Sequence, residues 1–459
     1  MPGTLLVFDD DPTGSQAVHD VEVVLELAAQ PVLEALSADG ATCFVLTNSR
    51  AMDEHRAVAQ QNRLLRDILE GLPEGRVPQV VSRSDSTLRG HVIAEPNGLA
   101  DVLEERGMHV NGFLFAPAMF EAGRYTTGDV HWAVVRGEHV RVADTDFAQD
   151  ATFGYTASDL KDFLVERSGG TLQRDQILSI TMEHLATGVD AVCRVLDQAT
   201  HRTWVVVNGT EYAHQEVVVD ALKRQQATGR NFIARCGPSF VRPLAGLKQS
   251  RVLEPADISI GADRMPHGLV VVGSHVGLTN RQLAVLKDRG RVCDVELHVP
   301  TLLGPGHHTH VEQAITQATQ ALADSDVVVC TSRDVVRTDD PQESLSIARS
   351  VSDAVVEVVR GVMKAKPAWV IAKGGITSHE VAHKGLGIQR ARVGGQFFPG
   401  QTSQFIPIDA DPEADGCPFV VFPGNVGTET AVADVVDVLT QATRLSGAAK
   451  TTTEKGDVQ

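Results

Sequence analysis

The chain has 459 residues, enough for two or three domains, and 42% of them are hydrophobic, sufficient for ordinary globular cores. Asp and Glu number 59 against 41 Lys and Arg, a net charge of −18 that argues against a nucleic-acid or anionic-membrane partner. Any anionic ligand would therefore have to be met by a local arginine cluster. The six cysteines (Cys43, Cys193, Cys236, Cys293, Cys330, Cys417) are scattered, with no C-x-x-C pair, which fits reduced thiols better than a disulfide framework or a zinc site. No basic segment followed by an apolar stretch opens the chain, so no signal peptide is expected, and a cytoplasmic location is. No apolar run approaches the ~18 residues of a membrane helix.

Leu5-Leu6-Val7-Phe8 reads as a short buried strand that runs into Asp9, Asp10 and Asp11 and then a Pro-Thr-Gly turn. Three adjacent carboxylates repel one another and are costly to desolvate, so they need an opposing cation or a ligand, unless they form a solvated acidic turn. Further strands are expected at Cys43–Leu46, Val77–Val81, Gly112–Ala116 and Thr203–Val207, with a polar helix from about Asp53 to Leu69. The stretch from Arg136 to Phe153 is less regular, an excursion or a hairpin. Prolines spread from Pro238 to Pro266 mark a domain connection. The rhythm restarts with strands at Leu269–Val272, Asp326–Cys330, Ala368–Ala372 and Phe419–Phe422. Thr279 with Gln282, and Thr377 with Glu380, read as capping boxes. Val311, Ile315, Ala318 and Leu322 share one helical face, as do Val351, Val355, Val358 and Val362, while a last helix buries Val432, Val435, Val436 and Leu439. After Ser446 the chain is small and polar and is expected to fray. Strands alternating with helices predict an α/β fold of two domains, each a largely parallel sheet flanked by helices.

Polar residues repeatedly follow the strands, where such a sheet places its ligands. Arg83, Arg89 and Arg124 accompany Asp85, Ser86 and Thr87 in these exits; guanidinium forks suit carboxylates, and hydroxyl and Asp groups suit sugar hydroxyls. With Asp10 and Asp11 they make a pocket for a small polyhydroxy acid. The bland alternative is a set of salt bridges within the loop, Arg83 with Asp85 for example. In the second half, three strand exits carry glycine: Gly273-Ser274, Gly374-Gly375 and Gly424-Asn425-Val426-Gly427. Together they make a rim for phosphate, although neither a P-loop nor a G-x-G-x-x-G fingerprint is present. His307-His308-Thr309-His310 follows Gly-Pro-Gly and reads as a solvated loop rather than a metal site.

Asp10-Asp11-Pro12-Thr13-Gly14, Asp85-Ser86-Thr87-Leu88-Arg89-Gly90 and Ala116-Pro117-Ala118 with Gly123-Arg124 resemble the N-terminal signatures of the four-carbon acid sugar kinases. The later Gly-Gly-x-Thr and Gly-Asn-x-Gly turns resemble that family's nucleotide-binding domain. Ile376 stands where the family often has Asp, Asp9 adds a third acid, and His275-Val276 and Pro423 also depart from the pattern. The resemblance implies ATP-dependent phosphorylation of the C4 hydroxyl of threonate, erythronate or 3-oxo-tetronate. The implied layout is a sugar-acid domain at 1–245, a connection at 246–266, a nucleotide domain at 267–446 and a flexible tail at 447–459. Asp11 would orient or deprotonate the attacking hydroxyl, and Asp10 would support it or hold a metal through water. Arg83, Asp85, Ser86, Arg89 and Arg124 would grip the acid. Ser274, Gly374, Gly375, Ile376, Thr377 and Gly424 would line the ATP site, with Mg²⁺ carried on the phosphates. The expected partners are thus a small acid sugar and ATP, with a homo-oligomer left open. Two other readings remain at this stage: a non-catalytic sugar-acid sensor, and a metal-dependent hydrolase or aldolase using Asp9, Asp10, Asp11 and the His cluster.

Overall fold

The computed structural model describes residues 4–11, 14–273, 277–290, 292–332, 341–424 and 426–453. The chain divides into two compact units, Met1–Ser250 and Arg251–Gln459. The strands are β1 (Leu5–Asp9), β2 (Glu22–Val24), β3 (Thr42–Leu46), β4 (Gln79–Arg83), β5 (Val110–Ala116), β6 (Arg124–Thr127), β7 (Val130–Val135), β8 (Glu138–Arg141), β9 (Leu178–Ile180), β10 (Thr203–Val207) and β11 (Asn231–Cys236) in the first unit. In the second they are β12 (Leu269–Val272), β13 (Val292–Leu297), β14 (Asp326–Thr331), β15 (Val370–Lys373), β16 (Arg390–Gln396), β17 (Ser403–Asp409) and β18 (Phe419–Phe422).

In the first unit a parallel sheet runs β2-β3-β1-β4-β11-β5-β10-β9. Helices cover it on both faces, so runs such as Leu5–Phe8 and Trp204–Val207 are buried without alternation. One side of the core gathers Leu6, Phe8, Val45, Leu65, Ile68, Phe113, Phe115 and Trp204. From β1 the chain reaches β3 on one side and β4 on the other, so the crossover direction reverses between β1 and β4. Ligands in open α/β sheets collect at such a point, beyond the carboxyl ends. A small antiparallel sheet, β6-β7-β8, follows β5 and begins before the less regular stretch expected from Arg136, which holds only β8 and short 3₁₀ turns.

The second unit repeats the logic. Its sheet runs β13-β14-β12-β15-β18-β17-β16, parallel through β18 and antiparallel at β17 and β16. Here the direction reverses between β12 and β15, the strands that lead to Gly273 and Gly374. Trp369, Ile371, Val420, Phe422, Val432, Val435 and Leu439 form much of its core.

Several local expectations need correcting. His307 opens the helix His307–Ala321 rather than lying in a loop. Thr279 lies inside the helix Gly277–Asp288, and Thr377 inside the helix Gly375–Glu380, so neither caps. Their side chains are used elsewhere, as described below. The final helix continues to Thr453, past Ser446. Strand β4 sits two residues later than expected, which places Ser82 and Arg83 within it.

The exits of β5 and β11 are pressed together. A Cβ on Gly237 would lie 2.5 Å from the carbonyl oxygen of Pro117 and 2.6 Å from that of Ala118. Gly237→Ala should therefore cost about 1–3 kcal/mol through overpacking against rigid backbone. Chemical denaturation would show this as a lowered midpoint, and an unchanged midpoint would contradict the packing described.

Candidate functional site

The site of the first unit is built by strand register. Asp9 at the end of β1 stands opposite Arg83 at the end of β4, and Arg235 and Cys236 of β11 stand opposite Ser82 and Arg83. Arg83 donates to Asp9 Oδ1 at 2.7 Å and lies 3.5 Å from Asp10 Oδ1. Arg50, in the exit of β3, pairs with Asp11 and lies 3.5 Å from Asp10 and 3.8 Å from Asp85. Arg235, fully buried, donates to Ser82 at 2.7 Å and to Glu95 at 2.6 Å, with its other nitrogen 4.0 Å from Asp10. Ser49 completes the cluster by donating to Glu95. Asp9, Asp10, Glu95, Arg83 and Arg235 are all buried, and matched charges are what make that tolerable.

Asp10 is the hub, because guanidinium groups of Arg50, Arg83 and Arg235 converge on it. Neither of its carboxylate oxygens accepts a hydrogen bond among the described residues. Burial pushes its carboxyl above the usual range, against the pull of the arginines. Asp9 is pushed up to about 7, burial again outweighing Arg83, with the Asp10 charge adding to the rise. Asp85 goes the other way: burial opposes its charge, but Arg50 and Arg89, with hydrogen bonds from Thr87 and Arg89, hold it well below the usual carboxylate range. Gly14 and Gly90 close the cluster. A Cβ on Gly90 would stand 3.1 Å from Asp10 Oδ2 and 3.2 Å from Arg235 Nη2, at a φ of +113°. Leu88, buried in the same loop, holds a left-handed φ of +67°, an uncommon conformation for a bulky residue.

The loop after β4 then meets the small sheet. Arg89 donates to Asp85 at 2.7 Å and lies 3.6 Å from Asp150. Arg124 donates to Ser86 Oγ at 3.3 Å, and Arg89 and Arg124 both sit over the Phe147 ring, 5.6 and 5.2 Å from its centre. No carboxylate lies within 4 Å of Arg124 among the described residues, and burial lowers its pKa. His131 bonds the Ser86 carbonyl at 2.8 Å and is pushed down to about 4 by burial, and Tyr155 donates to the Thr87 carbonyl at 2.7 Å.

Every expected residue of this set thus lies in one cluster, but the roles divide. Arg83 is consumed by Asp9 and Asp10, and the Asp85 pairing that the bland alternative gave it is made by Arg89 instead. Arg50, Arg235, Glu95, Asp150, His131 and Tyr155 were not anticipated. Only Arg50 carried a signal, a basic residue after a strand like the others.

In the second unit, Gly374 leaves β15 with φ +113° and its N–H on the Phe422 carbonyl at 2.9 Å. Thr377 Oγ1 fills the space a Cβ on Gly273 would need, 2.1 Å away, so the exits of β12 and β15 touch only because residue 273 is glycine. Ser274 and Asn425 lie outside the described residues. Ile376 is 63% exposed. Lys373, 1% exposed, donates to the carbonyl of Pro423 at 3.0 Å and of Gly424 at 3.5 Å, and lies 4.2 Å from the Phe422 ring centre. Burial pushes it down to about 7. Thr279 donates to the same Gly424 carbonyl at 3.0 Å, and Gln282 to the carbonyls of Val426 and Thr428 at 3.0 and 2.7 Å.

The histidines of the helix His307–Ala321 turn to separate partners: His307 to the Leu302 carbonyl and Glu357, His308 to Glu312, His310 to the His298 amide. His379-Glu380-Val381-Ala382-His383 spells H-E-x-x-H, but Glu380 pairs with Lys384 and the helix gives way to a π turn at Val381. Among the described residues no three His, Cys, Asp or Glu side chains are grouped to hold a metal. All six cysteines are free thiols, and no described helix is long and apolar enough to cross a membrane.

Residues 5–244 match the family model of a sugar-binding N-terminal domain, and residues 269–432 that of a nucleotide-binding C-terminal domain. No curated protein sequence matches the chain. Among solved structures, a Salmonella typhimurium LT2 protein provisionally called a tRNA synthase is similar at 16% identity and a TM-score of 0.69, over 94% of this chain and 98% of its own. A Haemophilus influenzae protein of the DUF1537 family is similar at 16% identity and a TM-score of 0.65, over 95% and 100%. These two likenesses speak for the fold; the domain models, covering most of the chain in order, establish that it belongs to the four-carbon acid sugar kinase family.

Proposed function

We propose that the protein transfers the terminal phosphoryl group of ATP to the C4 hydroxyl of a four-carbon acid sugar of the threonate, erythronate or 3-oxo-tetronate type. The observation that carries this reading is the division of charge in the first unit. Arg50, Arg83, Arg89 and Arg235 each lie within 4.0 Å of at least one carboxylate, whereas Arg124 has none among the described residues. A part-buried guanidinium with no carboxylate within 4 Å among the described residues, beside the Ser86 hydroxyl, suits a ligand carboxylate. Asp85 and Arg89 next to it offer an acceptor and a donor to the polyol hydroxyls.

Asp11 is the more exposed of the two acids proposed for chemistry, at 22% of its side chain against 1% for Asp10. It is assigned to orient the C4 hydroxyl and take its proton, with Arg50 fixing its position. Asp10 backs this arrangement from the buried side. Phosphoryl transfer needs alignment of the hydroxyl with the phosphate and neutralisation of charge, more than covalent chemistry. Gly374, Gly375, Thr377 and Gly424 of the second unit are assigned to the nucleotide, and exposed Ile376 offers it an apolar surface.

Mg²⁺ is assigned to the nucleotide phosphates and water, where it supplies positive charge to the transferred group. The residues present fit a cage of protein ligands poorly: three guanidinium groups already surround Asp10, and a divalent cation there would be repelled. This disfavours Asp10 as a metal ligand, even through water.

Two outcomes follow for steady-state assays of ADP release. Arg124→Met should raise KM for the acid sugar about 10-fold or more, from loss of a charge-assisted contact, while leaving KM for ATP within twofold of wild type. An unchanged acid-sugar KM would remove Arg124 from the site. Asp11→Asn should lower kcat by roughly 10²–10⁴-fold, the range for loss of a general base, in a protein whose melting temperature is maintained. Full activity in that variant would rule out the assignment of the base.

A further inference from the structure

Lys373 is a lysine that the fold has no packing reason to keep. It is the last residue of β15, 1% exposed, in a sheet position where the preceding Val370, Ile371 and Ala372 are apolar. Burying an ammonium group costs several kcal/mol unless a charge opposes it. Among the described residues no carboxylate lies within 4 Å of it; two carbonyl oxygens and the face of Phe422 are all it has. A leucine or methionine would be cheaper here.

The adjoining turn shows what the lysine does. Its carbonyl oxygens are drawn inward by side chains: Pro423 and Gly424 by Lys373, Gly424 again by Thr279, Val426 and Thr428 by Gln282. The backbone N–H groups of Gly424, Val426, Gly427 and Thr428 have no acceptor among the described residues. Gly427 holds φ +83°, and a Cβ there would meet Ala431 at 2.6 Å. A turn with its carbonyls bound from behind and its amides unspent is complementary to an anion. Protonated, as an adjacent anion favours, the buried amine adds a positive charge in a setting of low dielectric, where it is strongly felt.

We propose that Lys373 is a positioning residue for the phosphates of the nucleotide, holding the carbonyls of the Gly424 turn inward so that its amides meet the anion and supplying the charge behind them. This rests on reading the second unit as the ATP site, and it adds that affinity there is graded by phosphate number through this one residue. The bound phosphates in turn supply the counter-charge the lysine otherwise lacks.

Calorimetric titration of the full-length protein with ATP, ADP and AMP tests it, comparing wild type, Lys373→Met and Thr279→Val. Wild type should bind more tightly with each added phosphate. Lys373→Met should lose about 10-fold or more in affinity for ATP, the scale of one charge-assisted contact, and less than threefold for AMP. Thr279→Val, which removes one anchor of the Gly424 carbonyl and keeps the charge, should show a smaller loss with the same gradient. It carries the test if Lys373→Met does not fold. Equal weakening of all three nucleotides would reduce Lys373 to a structural clamp and overturn the proposal while leaving the nucleotide site in place; so would unchanged affinities. A wild-type protein that binds none of the three would overturn the nucleotide reading itself, and this proposal with it.

Discussion

The carboxylate of Asp10 and the three arginines around it are the constraint on which the first unit depends. Parallel strands leave their carboxyl ends open, and the crossover reversal between β1 and β4 makes a crevice there. Placing acids at the end of β1 puts negative charge where the sheet is still dry. The chain answers with guanidinium groups from three different strands or strand exits: Arg50 after β3, Arg83 in β4 and Arg235 in β11. Glu95 then balances the deepest of them. Removing any single partner would strand a buried charge, which costs more than the intact cluster gains. The network is thus a device for holding geometry rather than a source of stability.

That device separates two kinds of arginine. Those facing Asp9 and Asp10 are held by these acids, while Arg124, carried in by the small antiparallel sheet, has no carboxylate within 4 Å among the described residues and is the one proposed for the ligand. The distinction matters because all of these arginines sit in or near strand exits and look alike in composition. Only register and burial tell them apart. The second unit follows the same plan at its own reversal between β12 and β15, with backbone in place of side chains. Glycines at 273 and 427 permit close approach, glycine at 374 takes a φ of +113°, and Lys373, Thr279 and Gln282 fix the turn from behind.

Much of this was legible from the residues. Continuous apolar runs marked nearly every central strand, because a sheet buried on both faces needs them. The strand exits then pointed to Asp10, Asp11, Asp85, Ser86, Arg89 and Arg124. Pairings between distant strands were not legible. Arg235 is surrounded by apolar neighbours in the sequence and meets Glu95 only through the fold, 140 residues away. Arg83 looked like a free fork because nothing local shows that β1 and β4 are neighbours with Asp9 in register opposite it. Thr279 and Thr377 satisfied a local capping pattern, but tertiary contacts claimed both hydroxyl groups, one on Gly424 and one in the space beside Gly273. The Gly-Pro-Gly before His307 looked like a loop and proved to be the lead-in to a helix.

The proposed reaction puts a phosphoryl group on the terminal hydroxyl of a four-carbon acid. Phosphorus–proton correlation NMR of a reaction mixture containing the protein, ATP, Mg²⁺ and each of threonate, erythronate and 3-oxo-tetronate reads this directly. For at least one of these acids, a phosphomonoester signal coupled to the two protons on C4 is expected. Inorganic phosphate as the only new phosphorus species, or no consumption of ATP with any of the three by folded protein, would contradict it.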